Sequence, residues 1–406
     1  MEKTRFLILG AGISGLTLAA RLQRMGETSF LVLEKEACAG GLCRSVLVDG
    51  SPLDIGGGHV LDVRNETVNN FVFDYLPASE WNRFDRISKI HLNKFEIDYP
   101  FEANIWQFPV DEQVEYLVSI SNAGCNLGRP KPERFSEWIT WKLGEKIARD
   151  YMLLYNQKIF SIDLDELSTE WLHKLPDVSI RDTLKSCLLR QPFGNLPAHA
   201  AFLYPKHYGY GEICVRLAHT LSSKLRLNTP VTSLDFERRL VNDSYQADVI
   251  INTIPWTEME DYSTIPNSVR SSIRRLKYAS MDVTYHPENQ DTPAHWTYFP
   301  DMSIPYHRIL YRHNIMPAGA RGYWTETNTK RLIAVQITSR PDNFHNQYAY
   351  PLCTLDKSEA IRRILDWAVT RGVIGLGRWG EWGHINSDVA IQNALDLAQR
   401  LSHRRT

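Results

Sequence analysis

Cysteine is scarce and unpatterned in this 406-residue sequence, with six residues and no Cys-x-x-Cys pair. Cys38 and Cys43 are close but flank a Gly-Gly turn, and no histidine cluster completes a metal set, so no metal site is expected. Free thiols belong in a reducing compartment, which makes the expected location cytoplasmic. No apolar run reaches the ~18 residues that span a bilayer. The stretch Phe6 to Leu22 carries three regularly spaced glycines and lacks a small-residue cleavage site, so it reads as strand, turn and helix rather than a secretion signal. An excess of one charge is missing too. Lys+Arg number 46 against 47 Asp+Glu, which leaves no field to attract nucleic acid or an acidic membrane. Internal repeats and low-complexity segments are also absent.

What is present is several kinds of text in succession. Residues 5–9 are a short apolar run, as in a buried parallel strand. Leu16, Leu18, Ala19, Leu22 and Met25 then recur at helical spacing until Gly26, and Phe30 to Leu33 make a second strand that ends at Glu34. Residues 105–195 are helical in pattern, with a boundary at Gly128, Pro130 and Pro132. From Phe135, the positions Trp138, Leu143, Ile147, Tyr151 and Leu154 predict one long amphipathic helix. Asp248 to Pro255 is a buried strand running into a loop. Residues 275–350 alternate and are rich in Tyr and Thr, the pattern of an antiparallel sheet with one wet face. The end reads helix, Gly-rich strand and terminal helix, with Ile391, Ala394, Leu395, Ala398 and Leu401 on one face.

The first β-α-β unit carries Gly10-Ala-Gly12-Ile13-Ser14-Gly15 between its strand and its helix. Three glycines at this spacing allow a tight turn, close approach of a pyrophosphate, and close helix–strand packing. Helix N–H groups and the dipole hold the phosphates. Glu34 closes the second strand, where it can accept hydrogen bonds from ribose hydroxyls, with Lys35 next to it. Strand, helix and acid in register make this a dinucleotide site. The dinucleotide is FAD, because Gly40-Gly41-Leu42-Cys43-Arg44 and Asp54-Ile-Gly56-Gly57-Gly58-His59 follow at once, and a lone NAD fold needs neither. Glycines 56–58 would let main chain lie against a flat ring system, with N–H groups aimed at its edge. His59 is then a cofactor contact and a candidate catalytic group. Gly375-Leu-Gly377-Arg378 is a second candidate phosphate clamp, and the helix beginning near Asn386, Ser387 and Asp388 points its positive end back at the cofactor.

Taken together, these stretches resemble the UDP-galactopyranose mutases, within the superfamily that includes protoporphyrinogen and amine oxidases. The likeness rests on Gly10 to Gly15, on Asp54 to Leu61, and on Arg86-Ile-Ser88 with Tyr99-Pro-Phe101. It continues in Phe135-Ser-Glu-Trp138, Tyr155-Asn156-Gln-Lys158 and Glu166-Leu-Ser168, then in Trp296-Thr-Tyr298-Phe-Pro300, Pro305-Tyr-His-Arg308 and Gly377-Arg378. The resemblance implies an enzyme that interconverts pyranose and furanose forms of a nucleotide sugar, with reduced FAD adding to the sugar through N5 and NAD(P)H or another donor as reductant. It implies that Arg308 binds the diphosphate beside Tyr298, with Tyr350 near the phosphates. Asn156 and Phe160 would line the nucleotide pocket, and Arg86, Tyr99 and Trp296 would complete the substrate site. An arginine bracketed by aromatics suits a planar, doubly charged ligand.

Three positions depart from that family's pattern. A second diphosphate-binding arginine should follow Trp171, where the sequence reads Leu172-His173-Lys174-Leu175; Lys174 or Arg181 is the candidate replacement. His384 stands where the family has an active-site tyrosine, and Asn386 where it has an acid. An imidazole near the flavin can move protons. An FAD-dependent oxidoreductase acting on a sugar or amine therefore stays open beside the mutase, and His384 joins His59 and Arg308 as a candidate catalytic group. The expected architecture is α/β: a discontinuous Rossmann-like FAD domain of the GR2 type (1–60, 196–255 and 355–406), an inserted helical bundle (105–195), and an antiparallel sheet substrate domain (61–104 and 256–354). A small-molecule partner is expected, and a homo-oligomer is left open.

Overall fold

The computed structural model describes residues 1–172, 177–194, 200–262, 264–316, 320–334 and 343–403. Strand β1 (Glu2–Leu9), helix α1 (Ile13–Arg24) and strand β2 (Phe30–Leu33) form the opening unit. Strand β1 lies parallel between β2 and the strand Tyr245–Asn252, and Val373–Gly375 pairs parallel beyond that. Leu225–Arg226 extends the other edge next to β2. Alternate residues of these strands enter two different cores. Phe6, Ile8, Phe30 and Val32 pack with α1 and the terminal helix Ser387–His403. Leu7, Leu9, Leu31 and Leu33 pack against Trp256, Val269, Ile273 and Ile364. A sheet buried on both faces needs the continuous apolar runs seen in the sequence.

A second, seven-stranded sheet has the order 343–351, 278–286, 323–328, 308–311, 296–298, 88–92, 95–98. It is antiparallel except where Trp296–Tyr298 runs parallel to Ser88–Leu92. A small third sheet joins Leu61–Asp62 and Trp81–Asp85 through Ala201–Pro205. The helices Val110–Ser121, Phe135–Ile147, Leu153–Phe160 and Ile180–Leu189 surround their own core.

Two departures from the sequence reading have clear causes. The long helix from Phe135 is broken at Gly144, whose φ of 80° is not helical. A Cβ there would fall 2.5 Å from the Ser119 carbonyl oxygen, so only glycine lets the neighbouring helix approach. The chain resumes through a π-turn, Ala148–Met152, before Leu153–Phe160. Residues 256–276, grouped by sequence with the antiparallel sheet, pack instead on the nucleotide-fold sheet, where Trp256, Met259 and Ile273 are fully buried. Among the described residues no helix is long and apolar enough to cross a membrane, and no three His, Cys, Asp or Glu side chains group as a metal set.

Candidate functional site

The turn after β1 is built by sterics. Gly10 has φ +99°, and a Cβ there would sit 2.6 Å from Thr253 Oγ1. At Gly15 a Cβ would lie 2.1 Å from the Gly10 carbonyl oxygen, so a side chain would push α1 off the turn. Gly12 differs. A Cβ there meets nothing within 4 Å, so the space beside it is left open. That opening belongs to a 460 Å³ groove lined by Gly12, Ile13, Ser14, Glu34, Lys35 and Arg44, among others. The N-terminus of α1 has no side-chain cap, so its N–H groups are available to phosphate oxygens. Glu34 is buried and accepts from Ala11 N at 2.8 Å and from Glu36 N at 3.0 Å. It therefore braces the glycine turn as well as facing the groove, and each carboxylate oxygen keeps accepting capacity for a hydroxyl. Gly41 and Leu42 line the same groove. A dinucleotide cofactor fits this cradle. Gly12→Ala is expected to fold normally, because its backbone is ordinary and its surroundings empty, yet to bind FAD at least about tenfold more weakly through lost phosphate approach. Flavin absorbance of the purified variant, beside its circular dichroism, measures both.

The groove leads into a 240 Å³ chamber lined by Gly56, Gly57, Gly58 and His59. The glycines are explained differently from the sequence reading. A Cβ at Gly56 would strike Leu42 O at 1.9 Å, and one at Gly58 would strike Leu310 Cδ2 at 2.2 Å. The Gly58 N–H donates to Glu326 Oε1 at 2.8 Å and is not aimed at a ring edge. Protein packing thus requires small residues at 56 and 58, while the segment still walls the chamber. His59 Nδ1 lies 2.9 Å from Gly57 O. Burial, reinforced by Arg378, lowers its pKa to about 4. The ring is neutral near pH 7, and because a carbonyl only accepts, Nδ1 carries the proton and Nε2 is an acceptor. Trp324 Nε1 is buried in this wall with no partner among the described residues.

Arg378 is held by main chain. Its Nε and Nη2 donate to Ile385 O and its Nη1 to Ala349 O. It is a main-chain tie that sets a positive charge between groove and chamber, and Gly377, with a Cβ position 2.2 Å from Ser14 Oγ, brings it close to α1. Asn386 and Ser387 line both cavities, and the Ser387 hydroxyl is shared with Tyr210 at 2.7 Å. Asp388 is buried, with Oδ1 unpartnered among the described residues, but lines none of the three cavities.

A third cavity of 190 Å³ adjoins the second through Tyr298, Arg308, Tyr350 and His384, which line both. Asn156, Phe160 and Tyr99 line this outer chamber, whereas Arg86 and Trp296 line the inner one. Tyr298 Oη accepts from Arg86 Nη2 at 3.0 Å and from Trp296 Nε1 at 2.8 Å, which leaves its own proton to be donated. The Asn156 amide nitrogen is tied to Met152 O at 2.7 Å. His384 is stacked between Trp171 (5.9 Å, 9°) and Tyr350 (5.1 Å, 26°), with Phe160 edge-on. It lines both chambers. Arg181 is exposed and lines neither, and Lys174 lies outside the described residues.

The residue that sequence reasoning missed is Glu326. It is fully buried, and its Oε2 accepts from Arg308 Nε at 2.8 Å and Nη2 at 2.5 Å. Burial works against its charge, but Arg308, His307 and the Gly58 N–H outweigh that and hold the carboxyl at about 2. Arg308 therefore enters the site as half of an ion pair, with Nη1 remaining for a ligand. The sole signal was position: Arg308 and Glu326 are direct cross-strand partners. His307, also lining the outer chamber, lies 3.5 Å from Glu326, and burial lowers its pKa.

Residues 13–285 match the family of flavin containing amine oxidoreductases, and the chain belongs to it. A crystal structure of reduced UDP-galactopyranose mutase superposes with a TM-score of 0.87 at 21% identity, covering 99% of this chain and 94% of that one. Wild-type putrescine oxidase bound to putrescine gives 0.65 at 15% identity, covering 99% of each. The structural similarities establish the fold, and the family match makes it that of a flavoprotein. In sequence, UDP-galactopyranose mutase of Mycoplasma pneumoniae is 33% identical over 104 residues, 25% of each protein. An inactive all-trans-retinol 13,14-reductase of Danio rerio is 36% identical over 74 residues, only 12% of its own length.

Proposed function

We propose that this FAD-dependent enzyme rearranges a nucleotide sugar without net redox change. The observation that carries the reading is the continuous passage of groove, inner chamber and outer chamber, with Arg308 and Tyr298 at the junction of the last two. FAD, bound in its reduced form, supplies a nucleophilic nitrogen for the anomeric carbon. The chain's own groups bind and orient. Arg308, fixed by Glu326, offers Nη1 to the departing diphosphate, and charge-assisted hydrogen bonds of this kind are the strong ones. The Tyr298 hydroxyl donates beside it. Neutral His59, with Nε2 as acceptor, can take a hydrogen bond from a hydroxyl within the inner chamber. The stacked rings of Trp171, His384 and Tyr350 wall the outer chamber.

Dithionite-reduced protein incubated with a panel of nucleotide sugars should convert pyranose to furanose forms, with turnover only in the reduced state and no stoichiometric use of NAD(P)H or oxygen. One electron donor or one dioxygen consumed per turnover would replace this reading with that of an oxidoreductase.

A further inference from the structure

The outer chamber holds, besides Arg308, a carboxyl that the proposed chemistry does not use. Phe101–Ala103 form a single tight turn, and Glu102 on it is 8% exposed while lining the chamber. The groups acting on Arg308 are Glu326, Tyr350, Tyr155 and Tyr298. Those acting on Glu102 are Lys142 and Asp177, which pair with each other, and the phenols of Tyr99 and Tyr151 also feel it. Cation and carboxyl line one chamber with different immediate neighbours, and Trp138, Tyr151, Tyr155, Phe160 and Trp171 line it with them. Among the described residues, no other side chain forms a hydrogen bond or ion pair with Glu102. The one hydrogen bond to its carboxyl comes from its own backbone N–H, which leaves most of its accepting capacity open to a ligand that brings donors.

We propose that Glu102 is the specificity-determining residue of this chamber and reads a ring edge with adjacent N–H donors, which among nucleobases is the edge of guanine. This rests on the nucleotide-sugar reading and deepens it. An ionised carboxylate accepts only, and two neighbouring N–H groups match its two oxygens. Uracil presents one N–H flanked by two carbonyl oxygens, which repel a carboxylate. Aromatic walls suit the faces of either base, so the edge decides. Burial lifts the Glu102 carboxyl to about 7. Guanine needs the ionised form, so its binding should expel a proton and tighten as pH rises through ~7. A base that needs the protonated carboxyl would do the reverse.

The test is titration of the flavin-loaded protein with GDP and with UDP, followed by tryptophan fluorescence, at pH 6, 7 and 8. GDP is expected to bind about 10–100-fold more tightly than UDP, the range for one bidentate base contact. Glu102→Gln presents one donor and one acceptor, the complement of uracil. It should weaken GDP by about tenfold or more, strengthen UDP, and abolish the pH dependence, with flavin content unchanged. A preference for UDP in the native protein, or a GDP/UDP ratio untouched by Glu102→Gln, overturns the proposal. If both nucleotides bind equally and both are lost in Arg308→Ala, the base assignment alone fails. If neither binds, the nucleotide-sugar reading fails with it.

Discussion

Glu326→Gln is expected to destabilise the protein by about 3–5 kcal/mol, the range for removing one partner of a buried ion pair. The glutamine keeps the shape and can still accept from Gly58 N–H, so the loss comes from Arg308 left charged in a buried site. Replacing both partners by apolar residues should recover most of it. Chemical denaturation of the single and double variants measures the difference. The native pair also has a pH signature. The carboxyl lies near 2 in the folded chain, below its ordinary 4.5. The unfolded chain binds more protons between those values, so the pair's contribution is complete above pH ~4.5 and is lost as pH falls towards 2.

Arg308→Ala is expected to weaken nucleotide-sugar binding by about 2–5 kcal/mol, as for truncation of one member of a buried charge contact. It also strands Glu326, so binding must be measured below the variant's unfolding temperature. Arg308→Lys separates charge from geometry. A lysine restores the ion pair but lacks the planar fork that bonds Glu326 and a phosphate together, so stability should return further than affinity. Calorimetric titration with a nucleoside diphosphate decides this, and unchanged affinity in Arg308→Ala would exclude Arg308 from the ligand site.

Sequence alone gave access to whatever depends on neighbours along the chain. Gly10 to Gly15, α1 and Glu34 form one local unit, and spacing is enough to read it. The inner and outer chambers were legible as motifs but not as contacts. Glu326 meets Arg308 only through strand register, and Gly58 meets Glu326 across 268 positions. The helical pattern from Phe135 gives no sign of the break at Gly144, because the Ser119 carbonyl that demands it comes from another helix. Arg378 beside glycines has the text of a phosphate clamp, but the carbonyls at 349 and 385 that take three of its five donors are not legible in the sequence. Glu102 carries no periodic signal at all; its importance lies in a cavity formed by helices that follow it.

The two oxygens of Glu326 hold different groups, one the Gly58 amide and the other the Arg308 guanidinium. This makes a bracket about one side chain long between the wall of the inner chamber and the cation at its junction with the outer one. Occupancy on either side changes the same carboxylate's environment, and such thermodynamic linkage is reciprocal. Whatever factor the cofactor contributes to holding the anionic ligand, the ligand must return to holding the cofactor.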